Sequence, residues 1–174
     1  MTDEISRQEL IELAKVLSKG IMMEHNAHSF YSMMAMKTTS RDGRKMYEWL
    51  ANFEEGHAAK LREKRDELLK HPAMQGYRSE VLAEDAHLSE ARDAEEEPSA
   101  EQSDGEVLME AIGNEQKAVA FYRRKFSGAA DQSLKDMFET MARDEERHIK
   151  ILTDMHRHLQ IEGIWGDLDA IMNR

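Results

Sequence analysis

Apolar side chains recur every three to four residues along four long stretches of the chain, the repeat of an amphipathic helix. The first runs from about Asp3 to Met36, with Leu10, Leu13, Leu17, Ile21, Glu24, Ala27 or His28, Tyr31 and Met34 on its inward stripe. The second runs from Arg41 to Leu69 and turns Met46, Leu50, Phe53, Glu54, His57, Leu61 and Leu68 inward. His71-Pro72 ends it, because the residue before a proline is pushed out of the helical region. The third covers Ser103 to Phe126, with Val107, Leu108, Ala111, Ile112, Glu115, Val119 and Tyr122 on its stripe. The fourth opens after Gly128 with Asp131 as N-cap and runs to Leu159. Its stripe is Leu134, Met137, Phe138, Met141, Glu145, His148, Ile151, Leu152 and Met155.

Short turns at Thr38–Ser40 and Ser127–Ala130 make the helices of each pair antiparallel neighbours. Between the pairs lies a long connection, roughly Pro72 to Gln102, with one extra helix expected near Ser79–Ala94. The acidic run Glu95-Glu96-Glu97-Pro98 that follows reads as solvated. Two helical hairpins joined by one long crossover predict an all-α, ferritin-like four-helix bundle, a single domain over residues 1–174. The tail, Ile161 to Arg174, carries Trp165 and is expected to form a short docking helix.

Composition narrows the chemistry. The chain has no cysteine, which excludes disulfides, thiolate metal sites and Cys nucleophiles and fits a reducing compartment, so a cytoplasmic location is expected. The N-terminus lacks a basic segment followed by an apolar one, and no apolar run approaches the roughly 20 residues of a membrane span. A net charge of −11 repels phosphate backbones, so neither nucleic acid nor membrane is an expected partner.

The most informative feature is an internal repeat at an offset of 91 residues. Ile21, Glu24, Ala27, Phe30 and Tyr31 match Ile112, Glu115, Ala118, Phe121 and Tyr122. In the next helix of each half, Met46, Ala51, Glu54, Glu55, His57 and Leu61 match Met137, Ala142, Glu145, Glu146, His148 and Leu152. Each half is therefore a helical hairpin with Glu on one helix and Glu-x-x-His on the next.

Residues three apart on a helix point the same way, so Glu54 with His57, and Glu145 with His148, can each hold one metal ion. Glu24 and Glu115 lie on apolar stripes, where a carboxylate is costly unless it is paired or metal-bound. Four such carboxylates repel, and two divalent cations cancel their charge. Oxygen-rich ligation with two imidazoles suits iron, with manganese possible, better than structural zinc. A single Glu-x-x-His in a Glu-rich helix means little. Two of them, each starting 30 residues after a Glu on the preceding helix, are specific. Two Glu plus two Glu-x-x-His is the ligand set of ferritin-like di-metal bundles.

The segments EHNAHSFY, EEGH, NEQKAVAFY and EERH resemble the four iron-binding helices of rubrerythrin, over roughly Asp3–Leu69 and Ser103–Leu159. The resemblance implies that Glu24 and Glu115 are ligands, that Glu54 and Glu145 bridge the irons, and that His57 and His148 are terminal ligands. It also implies reduction of hydrogen peroxide at a di-iron centre. Two departures stand out. Rubrerythrins usually carry a four-Cys rubredoxin-like domain, whereas this sequence has no cysteine, so an external electron donor is expected. The extra Glu of rubrerythrin, one turn after the third-helix ligand, is Ala118 here, which brings the six-ligand set closer to bacterioferritin-like ferroxidase centres.

Tyr31 and Tyr122, each seven residues after a ligand Glu, are candidates to hydrogen-bond ligand carboxylates or move protons, against a plainer role as core aromatics. His28, four residues after Glu24, is a candidate proton donor or a packed core histidine. His25, His71, His87, His156 and His158 read as surface. Glu55, Asp144 and Glu146 are turned about 100° from the ligands and read as solvated. The thirteen methionines read mainly as adaptable core filling. The expected function is a di-iron oxidoreductase acting on hydrogen peroxide or dioxygen, with a role in oxidative stress, as a homodimer or higher homo-oligomer. The alternatives are a ferroxidase serving iron storage or delivery, and a non-enzymatic helical interaction protein.

Overall fold

The computed structural model describes residues 6–77, 79, 81, 102–128 and 131–172. Among these it holds five α-helices, α1 (Arg7–Lys37), α2 (Arg41–Leu69), α3 (Asp104–Gly128), α4 (Gln132–Glu162) and α5 (Leu168–Met172), a 3-10 turn at Pro72–Met74, and no strand. The fold is all-α, of the helical-bundle kind the periodicity predicts, and no described helix is long and apolar enough to cross a membrane. The helix expected at Ser79–Ala94 and the acidic run at 95–98 lie outside the described residues, apart from 79 and 81.

Local chemistry sets the helix ends. Ser6 and Glu9 form a capping box, Ser6 N donating to Glu9 Oε2 at 2.7 Å and Glu9 N to Ser6 Oγ at 3.3 Å. Ser103 and Glu106 repeat it before α3 at 2.9 and 3.4 Å. These hydrogen bonds hold both glutamates below the usual carboxylate range. Asp131 caps α4 as expected, accepting from Leu134 N at 3.0 Å. α4 ends at Glu162, three residues beyond Leu159, and is capped by Gly163 with φ 68°, a left-handed geometry that glycine adopts without strain. His71 is extended, as its place before Pro72 requires, and its Nδ1 accepts from Ala73 N at 3.2 Å.

The chain divides into two compact units: the residues to Phe30 with Ala51–Glu97, and Tyr31–Leu50 with the chain from Pro98 on. In the first unit, α1 and α2 run antiparallel, with Ser18 bonded to Arg65 and His28 to Ala51. Leu10, Ala14, Leu69, Met74 and Val81 form a buried cluster there. Arg7 pins the start of α1 to the 3-10 turn through Ala73 O at 2.9 Å, and its guanidinium lies over the Tyr77 ring. Leu13, expected inward, is half-buried, and Ala14 takes the core position. Phe53, Leu68, Val119 and Met137 are likewise half-buried.

In the second unit, α3 and α4 pack along their lengths through Leu108, Ala111, Tyr122, Phe138, Met141 and Leu152, all buried. The tail forms the expected short helix, α5, with Leu168 and Ile171 buried. Trp165 seats over Gly43, where any β-carbon would fall 2.9 Å from the indole. Gly43→Ala is therefore expected to push the indole out and cost about 1–3 kcal/mol. Thermal unfolding and a shift of tryptophan emission toward that of water-exposed indole check this.

Candidate metal centre

The first unit brings together Glu24 of α1 with Glu54 and His57 of α2. Their side chains are 1–2% exposed, and each offers one donor atom within 4.8 Å of the others. His57 Nδ1 lies 3.5 Å from Glu24 Oε2 and 3.6 Å from Glu54 Oε2. The second unit builds the same set from Glu115 of α3 with Glu145 and His148 of α4, 0–3% exposed and within the same 4.8 Å. There His148 Nδ1 lies 2.9 Å from Glu145 Oε2 and 3.8 Å from Glu115 Oε1. The same imidazole nitrogen faces both carboxylates in both sets.

These separations fit a shared ion. Two donors each about 2.1 Å from one metal, at angles near those of tetrahedral or octahedral sites, stand roughly 3.0–3.5 Å apart. Each set gathers two carboxylates and one imidazole, the oxygen-rich donor chemistry that hard or borderline divalent ions take.

Tyr31 donates its phenolic hydrogen to Glu115 Oε1, so a hydroxyl on α1 orients a carboxylate on α3. Tyr122 is fully buried, stacked on Phe138 with ring centroids 6.2 Å apart. His28 lies outside both donor sets. Its Nδ1 bonds the Ala51 carbonyl at 2.8 Å, and because a carbonyl only accepts, that nitrogen carries the hydrogen.

Two aromatic contacts to the histidines escape the sequence reading. Phe53 meets His57 edge-on at 6.1 Å, and Trp49 meets His148 edge-on at 5.5 Å. Arg147 lies over the Trp49 ring at 5.8 Å. Phe53 stands four residues before His57, a spacing that sequence could have flagged. Trp49 reaches His148 from another helix, and no local spacing announces it.

The remaining polar candidates sit apart from the donors. Glu55 and Glu146 are exposed: Glu55 pairs with His25 and Arg62, and Glu146 accepts from Arg123. His71 is exposed as expected. His25, His156 and His158 are half-buried rather than fully at the surface, because neighbouring side chains cover them: Arg62 bonds His25, and Glu162 pairs with His158. His87 lies outside the described residues.

An all-α helical protein with buried, repeated carboxylate–imidazole sets is of the metal-binding class. Residues 106–170, which hold Glu115, Glu145 and His148, match the rubrerythrin family model. No curated protein matches the chain in sequence. A solved structure, a hypothetical protein from Pyrococcus furiosus, has the same fold at a TM-score of 0.67 and 18% identity, with 88% of this chain and 93% of that one covered.

Metal is expected to stabilise the folded chain. Anaerobic Fe(II) at a hundredfold excess over its Kd should add about 2.7 kcal/mol. Calorimetric melts with and without metal measure this, and the increment should vanish in Glu54→Ala and Glu145→Ala.

Proposed function

We propose that Glu24, Glu54, His57, Glu115, Glu145 and His148 hold two metal ions in one centre, and that the chain is a di-iron oxidoreductase reducing hydrogen peroxide with electrons from an external donor. The observation that carries this reading is the duplication of one buried donor set, two carboxylates and an imidazole, in both halves. The match of residues 106–170 to rubrerythrin supports iron, and manganese suits the same donors.

Peroxide takes up two electrons and two protons and leaves as two waters. Iron held by these residues would supply the two electrons. The chain's own residues do the rest. Glu24, Glu54, Glu115 and Glu145 would offer their carboxylates to the ions, and His57 and His148 their imidazoles. Tyr31 fixes the Glu115 carboxylate through its hydrogen bond, which sets how that oxygen meets an ion. Trp49 and Phe53 wall the imidazoles with apolar edges, which restrains ring rotation and excludes water. Tyr31, Tyr122 and His28 are the proton carriers proposed for the reaction.

One observation favours a second reading. Ala118 stands where rubrerythrins place an additional carboxylate, which leaves six ligands in symmetric halves, as in ferroxidase centres. On that reading the chain oxidises Fe(II) and hands it to storage or to another protein.

Stopped-flow absorbance of anaerobic protein carrying two Fe(II) per chain, mixed in parallel with peroxide and with dioxygen, separates the two. Peroxide should oxidise the site far faster. Equal rates with dioxygen and turnover of added Fe(II) would establish the ferroxidase, and no ferric absorbance with either oxidant would remove iron redox chemistry altogether.

A further inference from the structure

The donor set of the second unit is buried, so an electron reaching it from solvent must cross protein. One line of aromatic rings makes that crossing. Tyr31 donates to Glu115 at the inner end. Its ring stacks on Tyr47, centroids 6.2 Å apart and planes 25° from parallel. Tyr47 meets Trp165 edge-on at 5.7 Å. Trp165 is half-buried, and its indole Nε1 donates to Asp104 Oδ2 at 3.1 Å, an exposed carboxylate.

Oxidising a phenol or an indole makes its O–H or N–H strongly acidic, so a ring that is to give up an electron needs a base at that atom. Tyr31 has Glu115 and Trp165 has Asp104. Tyr47 is different. Its hydroxyl has no hydrogen-bond partner among the described residues. Burial, with the charge of Asp104, pushes its phenol well above the ordinary range. Tyr47 is therefore a contact between two oxidisable rings rather than a resting place for a radical.

The repeat separates this arrangement from core packing. Tyr122 and Phe138, the counterparts of Tyr31 and Tyr47, stack in the same way at 6.2 Å and 22°. Packing thus accounts for the stacked pair in either half. It does not account for the outer end. The position equivalent to Gly43, whose missing side chain makes room for the indole, is Leu134. The stack that starts at Tyr31 continues to an indole bonded to a surface acid.

We propose that Tyr31, Tyr47 and Trp165 form a one-electron relay between the Glu115 end of the metal centre and the surface. Its use rests on the peroxide reading above. When peroxide meets a site holding a single Fe(II), that ion gives one of the two electrons required. The other comes from Trp165 by way of Tyr31. The electron crosses by the Tyr47 ring, and the Tyr31 hydroxyl stays hydrogen-bonded to Glu115. The indole proton passes to Asp104. Peroxide takes two protons from solvent and leaves as two waters, and Trp165 is left as a neutral radical. A small one-electron donor of the ascorbate or thiol class restores it, with a proton, from solvent.

The relay is tested first without metal. Azide radicals generated by pulse radiolysis oxidise tryptophan in preference to tyrosine. In full-length Trp49→Phe protein, Trp165 is the single remaining indole. Its radical absorbance should convert to tyrosyl absorbance at a rate independent of protein concentration. Conversion should persist in Tyr47→Phe, which keeps the ring, and be lost in Tyr47→Leu, in Tyr31→Phe and in Gly43→Ala. Circular dichroism confirms that each variant is folded, and the persistence in Tyr47→Phe keeps the test decisive should Tyr47→Leu unfold. Conversion unchanged in Tyr31→Phe overturns the relay. In the second arm, protein with one Fe(II) per chain is mixed with peroxide and frozen. A tryptophan radical that disappears in Trp165→Phe is expected. Conversion in the first arm with no radical in the second overturns the use of the relay with peroxide and leaves the ring pathway itself standing.

Discussion

The constraint on which the rest depends is the burial of like charges. Glu24 and Glu54, and again Glu115 and Glu145, occupy positions on apolar helix stripes where a leucine would be the ordinary choice, and they are essentially removed from water. An ionised carboxylate in such a place costs several kcal/mol unless it is compensated. The imidazoles of His57 and His148 reach both carboxylates of their own sets and compensate in part. A divalent ion compensates more fully, because it brings two charges to donors already gathered within 4.8 Å. The carboxylates are thus poor core residues whose gathered oxygens suit a cation, and the helices hold those of each set at fixed spacing.

Most of this was legible in the sequence because it is local. A helix stripe, a cap and an i,i+3 pair all depend on residues within a turn or two of one another. That is why Arg41–Leu69 agrees at both ends, why Asp131 caps α4, and why Glu54 and His57 converge. The errors are local too. The Ser6–Glu9 box starts α1 later than Asp3, and Gly163 rather than Leu159 marks the end of α4. The offset of 91 residues carried the ligand assignment from one hairpin to the other without any knowledge of packing.

What was not legible depends on the rotation of one helix against another. Trp49 against His148, Tyr31 bonded to Glu115 and Trp165 against Tyr47 join residues far apart in sequence, and no spacing rule pairs them. His28 shows the same limit from the other side. Its place four residues after Glu24 puts it near the inward face, yet the group it finds is the backbone carbonyl of Ala51 on the next helix. A carbonyl fixes the hydrogen on Nδ1 and so takes from His28 the nitrogen that His57 and His148 turn toward their carboxylates.

Where the two halves agree and where they differ follows a physical rule. Agreement is closest at the donors and the rings directly beyond them, since each half must meet the same charge with the same geometry. Differences gather one layer out. His57 has Phe53 against its ring and His148 has Trp49, which come from different positions of the repeat. Gly43 answers to Leu134 and Tyr47 to Phe138, so the two stacks share their inner members and part company at their outer ones. A symmetric pair of donor sets in an asymmetric surround leaves the two sets alike in donors and unlike in the side chains around them. The donors alone would not distinguish the two sets, whereas the side chains one layer out do.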